Sequence, residues 1–569
     1  MSAFEIGAAR HDLTRWRPGL GMMGWGMLDN FATKVATPLS VRAFVIRDAS
    51  NGGSVALAVC ELAFISTALR EAVCETLRTR HPARGLSVDN VMLMATHTHS
   101  GPGGFTHYAF YNVTIPGFAQ GILDGLAADI VAAIVAADDA RTPGAIRWDV
   151  GEFAPELPVA FNRSIAAYNL NPDVTPVVAG EEHLALDRSL LLLRFDAADG
   201  RTLGSINWFA VHCTSVHSDN LALHFDNKGY AAQTMEQTLR DASGTDVVAA
   251  FAQGASGDVT PNFRRHPGRP FVRGALPDDD ASARHNGGLQ AALATEVHTR
   301  AAQRPPLPGG LRCAHAFVDM GDVAVLPRFV GGRTGLRTSP GEIGMAMFFG
   351  TDEGPGLPRI AVGLQRWIAA AAKRLVRSNP ARDAAQAEKV TWVDTARRRV
   401  LGIGALHRLP PVPLPGRARG ALRMLRALHR DGAAQTPWTP QVLPIQLAVI
   451  GDVALIAVAH EFTTVAGRRL CATVCAALVG IGVTRAVLVG YANAYAGYVT
   501  TPEEYALQDY EGASTHFGKW TLPAYQTIFT ELAASLCPPL PADRGPAQLR
   551  PGVQPPRFAR ADLDARAFG

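Results

Sequence analysis

Val91-Met-Leu-Met-Ala-Thr-His-Thr-His-Ser-Gly-Pro-Gly-Gly104 changes character after Ala95. An apolar run, Val91 to Ala95, gives way to alternating hydroxyl and imidazole side chains, then to turn residues. A short apolar run bounded by turn residues reads as a buried strand. In open α/β sheets, binding groups gather just beyond the strand C-termini. Alternate residues of an extended chain point the same way, so His97 and His99 are expected to face one cavity. Gly101-Pro102-Gly103-Gly104 lets backbone approach whatever fills that cavity. A metal reading needs neutral imidazoles plus a third and fourth ligand. The pair also reads as strand histidines satisfied by local hydrogen bonds.

Outward from this stretch the pattern repeats. Strands are predicted over Val55–Cys60, Leu190–Phe195, Ile206–Val211, Val247–Ala252 and Ala486–Gly490. Val442–Ile450 and Val453–Val458 read as a hairpin through Gly451-Asp452. Helices are predicted over Thr67–Arg80, Phe118–Asp138, Gly229–Arg240, Thr464–Val479 and Thr521–Leu536. Residues 264–440 read as less regular, with Arg264–Arg284 as a loop, helices over Ala361–Arg377 and Arg417–Arg430, and a Pro-rich break at Leu409–Pro415. The order implies an α/β protein with helices packed on sheet faces.

Polar groups follow several of these strands. His212 follows Ile206–Val211, Asp258 and Thr260 follow Val247–Ala252, Glu461 follows Val453–Val458, and Tyr498 lies past Ala486–Gly490. Each has a plainer reading. His212 suits a core histidine. Glu461, beside Thr463-Thr464, suits a helix N-terminal acid. Tyr498 suits a core tyrosine. Gly254–Asn262 suits a tight loop in which Asp258 and Asn262 bond backbone amides.

Composition narrows the class. Hydrophobic residues make up 47% and charged residues 18% of 569, enough apolar sequence for a large core. A net charge of +4 is too weak to argue nucleic acid. The 7 cysteines are scattered without a CxxC pair, which disfavours a disulfide framework or a cysteine-built zinc site. No apolar run is read as a membrane span, and no basic patch followed by an apolar stretch opens the chain, so the cytoplasm is the expected compartment.

The chain resembles the neutral, non-lysosomal ceramidases. The resemblance rests on Met22–Gly26, Thr96–Gly104, Asn162-Arg163-Ser164, Trp208–His212, Asp226–Tyr230, Gly257–Asn262, Glu461–Thr464, Tyr498–Tyr510 and Thr521–Tyr525, in the family's order and across nearly the whole chain. It implies a catalytic domain over 1–537 with mixed sheets flanked by helices, its site at the strand C-terminal ends, and a Pro/Arg-rich tail over 538–569. It implies one zinc ion per chain on His97, His212, Glu461 and Tyr498, with His99, Arg163 and Tyr510 around the scissile amide. Thr260 stands where the family carries a serine described as nucleophile. The implied substrate is ceramide or a related N-acyl lipid, split to a sphingoid base and a fatty acid, with no obligate protein partner.

Several features depart from that pattern. His460 replaces a glycine before Glu461, 361–430 matches poorly, and the family's signal or anchor region and C-terminal β-sandwich domain are expected to be absent. Threonine at 260 crowds attack and restricts the rotamer. It keeps open a different N-acyl amide or ester substrate, attack by water, or a binding protein without activity. The basic stretch Arg417–Arg430 reads as a solvated helix face or as a peripheral contact with an anionic membrane.

Overall fold

The computed structural model describes residues 3–115, 117–354, 356, 384–400, 436–537, 549–559 and 563. The helices expected over 361–377 and 417–430, the break at 409–415 and much of the 538–569 tail lie outside the described residues.

Strands that are apolar at every position have two faces to bury, and two sheets stacked between helices provide that. The first sheet has eight strands: β1 (Phe4–Asp12), β2 (Ser40–Asp48), β3 (Ser54–Cys60), β4 (Val91–Ala95), β5 (Thr142–Glu152), β6 (Ser189–Ala197), β7 (Thr202–Phe209) and β8 (Val248–Gln253). Their spatial order is β8-β7-β6-β5-β1-β2-β3-β4. The second sheet has four: β9 (Arg312–Asp319), β10 (Val442–Ile450), β11 (Val453–Ala457) and β12 (Arg485–Val489), in that order. Neighbours run antiparallel except β3/β4, β7/β8 and β11/β12, which are parallel.

Side-chain alternation assigns the layers. Phe44, Leu57 and Met92 of the first sheet meet Ile450, Leu455 and Val487 of the second. The opposite face of β2 to β4, with Val45, Ala58 and Leu93, carries α1 (Thr67–Arg80) and α2 (Gln120–Asp139). Leu192 and Phe251 pack under α3 (Asp226–Ser243) and α4 (Asp279–Ala301). The outer face of the second sheet, with Ile445 and Ile456, carries α5 (Thr464–Leu478) and α6 (Thr521–Leu536). The result is a four-layer helix–sheet–sheet–helix stack. α1 forms because Leu69, Val73 and Leu77 recur on one face and Ser66 Oγ accepts the Leu69 N–H at 3.1 Å.

The structure corrects parts of the sequence reading. Arg264–Arg284 is not a loop throughout. Arg264–Arg265 pairs with Val272–Arg273, and α4 begins at Asp279, capped by Asp278, whose carboxylate accepts the Ala281 N–H at 2.8 Å. β1, β2, β5 and β9 went unread because charged, Gly or His residues interrupt their apolar pattern. The supposed absence of span-length segments also changes. By length and mean hydropathy, Gln120–Asp139 and Thr464–Ile481 reach the size of a membrane span. Both pack against the sheets as core helices.

Buried charge ties the layers together. Arg42 of β2 donates to Glu61 (Nη1 to Oε1, 2.6 Å) and to Glu236 of α3 (Nε to Oε1, 2.7 Å), all three nearly inaccessible. Burial opposes charge on Arg42, yet Glu236 and Glu61 keep it firmly protonated. Arg42→Ala would leave Glu61 without this cation and Glu236 with only the half-exposed Arg10. It is expected to cost about 3–5 kcal/mol, read as a lower urea midpoint at unchanged slope.

Candidate metal centre and active site

The sheet strands that precede His97, His99, His212, Thr260, Glu461 and Tyr498 all belong to parallel pairs. Parallel neighbours open their C-termini on the same side, whereas a tight antiparallel hairpin closes that end with its turn. His97 and His99 follow β4, His212 follows β7, Thr260 follows β8, and Glu461 and Tyr498 follow β11 and β12. β4 and β8 are opposite edges of the eight-stranded sheet, yet their ends meet. The buried Gln253 carboxamide donates to Thr96 O at 2.9 Å and to Val211 O at 2.6 Å, joining the two histidine-bearing loops. The sheet therefore curls until its edges touch. Asn493, beyond β12, extends the closure by exchanging hydrogen bonds with the Leu93 backbone.

His97 and His99 do face one site, but not by strand alternation. The strand ends at Ala95, and His97 takes a left-handed φ of 71° that turns its ring inward. Met22–Gly24 pairs antiparallel with Ser100–Pro102 behind it. Gly24, at φ 131°, is required there: a Cβ would lie 2.4 Å from His99 Cγ.

The ligand nitrogens of His97, His99 and His212 lie within 4.8 Å of one another. His97 Nδ1 meets Ala63 O at 2.5 Å, and His212 Nδ1 meets Val259 O at 2.9 Å. A carbonyl only accepts, so both Nδ1 atoms carry a proton, and in the neutral tautomer so fixed the Nε2 atoms present lone pairs. Those lone pairs face Glu461 Oε2, at 3.5 Å from His97 and 3.1 Å from His212, while His99 Nε2 stands 3.0 Å from His97 Nε2. Burial pushes His97 down to about 4 and His99 well below the usual imidazole range, so both rings are neutral at neutral pH. Burial opposes charge on Glu461, yet the hydrogen bonds it accepts, that of the Tyr495 hydroxyl among them, hold its carboxyl well below the usual range. Acceptors converging on a carboxylate repel one another unless a cation sits among them. Imidazole nitrogen and carboxylate oxygen form a donor set suited to a divalent metal.

Tyr498 pairs with Glu461 through the backbone, and its hydroxyl accepts from Arg163 Nη2 at 3.2 Å. Two further tyrosines, unread in the sequence, hold Glu461. The Tyr491 hydroxyl donates to Oε2 at 3.1 Å, and the Tyr495 hydroxyl donates to Oε1. Tyr491 also stacks on His97, with centroids 4.0 Å apart. They sit in Tyr491-Ala-Asn-Ala-Tyr495, directly after β12, so their place behind a parallel strand was the available signal.

Arg163 brings the remaining candidates together. Its guanidinium donates to Glu511 (2.9 Å), Glu353 (2.6 Å) and Gly257 O (2.8 Å), and lies 5.4 Å from the Tyr510 ring centroid. Thr260 is adjacent, because Val259–Thr260 pairs antiparallel with Phe161–Asn162. Its hydroxyl donates to Glu353 Oε2. Glu353 is the residue that sequence reasoning missed most completely, since it follows no strand. Asp258 takes the bonding role of the tight-loop reading: it accepts from Thr464 N at 2.8 Å and from Asn162 Nδ2 at 2.8 Å, fixing the start of α5 beside Glu461.

Fold and site together define an α/β protein with a buried histidine–carboxylate centre suited to a metal ion. A family model described as neutral/alkaline non-lysosomal ceramidase, N-terminal, matches residues 4–401 and 427–527, leaving 402–426 within the poorly matching stretch uncovered. The neutral ceramidase of Pseudomonas aeruginosa is 33% identical over 95% of this chain and 73% of its own length. That of Mycobacterium tuberculosis is 31% identical over 99% of this chain and 82% of its own. A solved structure titled ceramidase complexed with C2 superposes with a TM-score of 0.79 at 33% identity, covering 98% of this chain and 78% of that one. The chain belongs to the neutral/alkaline non-lysosomal ceramidase family.

Gln253→Leu would strip the Thr96 and Val211 carbonyls of their shared donor. It is expected to cost about 1–3 kcal/mol and to weaken metal binding, read by calorimetric titration of the metal-free protein. Burial raises Asp258 to about 6. The folded state then holds this proton more tightly than the unfolded chain. That contribution is fully present below the ordinary carboxylate range and is lost as pH rises through about 6. Asp258→Asn should flatten that loss in melting temperatures measured between pH ~4 and ~8.

Proposed function

We propose that this chain is a zinc-dependent amidohydrolase that cleaves the N-acyl amide of ceramide-like sphingolipids to a sphingoid base and a fatty acid, with one zinc ion per chain. The observation that carries this reading is the convergence of two carbonyl-locked imidazoles on Glu461, in a chain whose relatives are named neutral ceramidases. His97, His212 and Glu461 would hold the ion, with Tyr498 beside Glu461 as the fourth ligand. When bound, zinc polarises a carbonyl and acidifies water.

The other side chains divide the remaining work. His99, neutral and next to His97, takes a proton from water and returns it to the group that leaves. Arg163 and Tyr510 meet the substrate oxygen that gains charge. Thr260, on the same side as Arg163, faces the amide carbonyl. The Glu461 grip by Tyr491 and Tyr495 keeps the carboxylate oriented without neutralising it.

The test is purified protein on ceramide, with chelator and with zinc restored. Release of fatty acid and sphingoid base that stops with chelator and returns with zinc is expected. Intact ceramide at full zinc occupancy would refute the assignment. His97→Ala should lose bound metal and activity together. His99→Ala should keep its metal, by elemental analysis, while kcat falls about 10²–10⁴-fold. Loss of metal in His99→Ala would make His99 a ligand instead of a proton carrier.

A further inference from the structure

The geometry points to Glu353 as the proton acceptor that sets Thr260 up as a nucleophile. This rests on the amidohydrolase reading and on the nucleophile that the family resemblance implies at Thr260, and adds the group that takes its proton. Glu353 is buried, and its two carboxylate oxygens are separately engaged. Oε1 takes Arg163 Nη1 at 2.6 Å. Oε2 takes the Thr260 hydroxyl, Asn262 Nδ2 at 2.9 Å and the Thr214 hydroxyl at 3.4 Å. The Glu353 carbonyl accepts from His217 Nε2, pinning the backbone as well.

A hydroxyl has one proton and two lone pairs. Paired with Arg163, the Glu353 carboxylate stays ionised and can only accept, so the Thr260 proton points at it. One lone pair accepts the Asn262 N–H at 3.0 Å. One lone pair remains. Thr260 therefore cannot donate to a substrate oxygen without breaking its bond to Glu353; it can only accept or attack. The threonine methyl, which restricts the rotamer, helps to hold that pose.

The step balances without a further reagent. Thr260 Oγ1 bonds to the acyl carbon as its proton passes to Glu353. The amide C–N bond breaks, and that proton leaves on the amine nitrogen. Water then splits the threonyl ester into a fatty acid and the free hydroxyl.

The test uses the metal-loaded full chain as wild type, Thr260→Ala, Glu353→Gln, Glu353→Asp and the Thr260→Ala/Glu353→Gln double variant, with metal content and melting temperature as folding controls. The first readout needs no ceramide. A long-chain alkyl fluorophosphonate, which bonds to an activated hydroxyl with loss of fluoride, should label Thr260 in the wild type. Labelling should slow at least about tenfold in Glu353→Gln, less in Glu353→Asp, and vanish in Thr260→Ala. The second is kcat on ceramide. Glu353→Gln should lose about tenfold or more with KM little changed, and the double variant should be no slower than Thr260→Ala, since residues acting as a unit do not add. Equal labelling of wild type and Glu353→Gln, an unlabelled wild type, or losses that multiply in the double variant would overturn the proposal. If Glu353→Gln fails to fold, Glu353→Asp carries both comparisons, and wild-type rates in it overturn the proposal equally. A wild type labelled at Thr260 in a Glu353-dependent way but inert to ceramide would keep Glu353 in this role and remove the ceramide reading.

Discussion

The bond on which the site depends is made by a neutral side chain. Gln253, at the end of β8, donates one amide hydrogen to Thr96 and one to Val211. Those carbonyls belong to the loops that carry His97 and His212. Because β8 and β4 are opposite edges of one sheet, the curl that brings them together sets the spacing of the imidazoles. A buried carboxamide suits this task. It satisfies two carbonyls at once and brings no charge into the buried site.

Layering supplies the rest of the frame. Strands β3, β4, β10 and β11 are buried on both faces, so their register is strongly held. In the two large sheets the described parallel pairs are β3/β4, β7/β8 and β11/β12, and His97, His99, His212, Thr260, Glu461 and Tyr498 follow those pairs. The antiparallel centre of the large sheet spans between them. The two sheets contribute different chemistry. The first brings imidazoles and a hydroxyl, and the second brings a carboxylate and phenols.

Electrostatics inside this frame is arranged by hydrogen bonds more than by ion pairs. Ala63 and Val259 carbonyls choose the tautomers of His97 and His212. Tyr491 and Tyr495 orient Glu461 without neutralising it. Arg163 lies between Glu353, Glu511 and Tyr498, linking the Thr260 side of the site to the Glu461 side. Neutral donors surround His97, His212 and Glu461 while the charge pairs gather at Arg163, which keeps the imidazole lone pairs available.

Amino-acid order alone determined the class of fold and most of the side chains that converge around Glu461. α1 and β4 were legible to the residue because Leu69, Val73 and Leu77 recur at helical spacing and Val91–Ala95 is an unbroken apolar run. His97, His99, His212 and Glu461 were legible because each follows such a strand. β1, β2, β5 and β9 were not, since residues such as Arg10 and Arg42 interrupt them, and their partners lie far away in sequence on α3 and beyond β3. Tertiary structure alone decided which groups meet. The Gln253 bridge joins residues through closure of a curled sheet, the tyrosine grip on Glu461 joins the loops beyond two neighbouring strands, and Glu353 meets Thr260 from 93 positions away. Local spacing carries no record of these contacts, because each joins residues that only the packing of distant segments brings together.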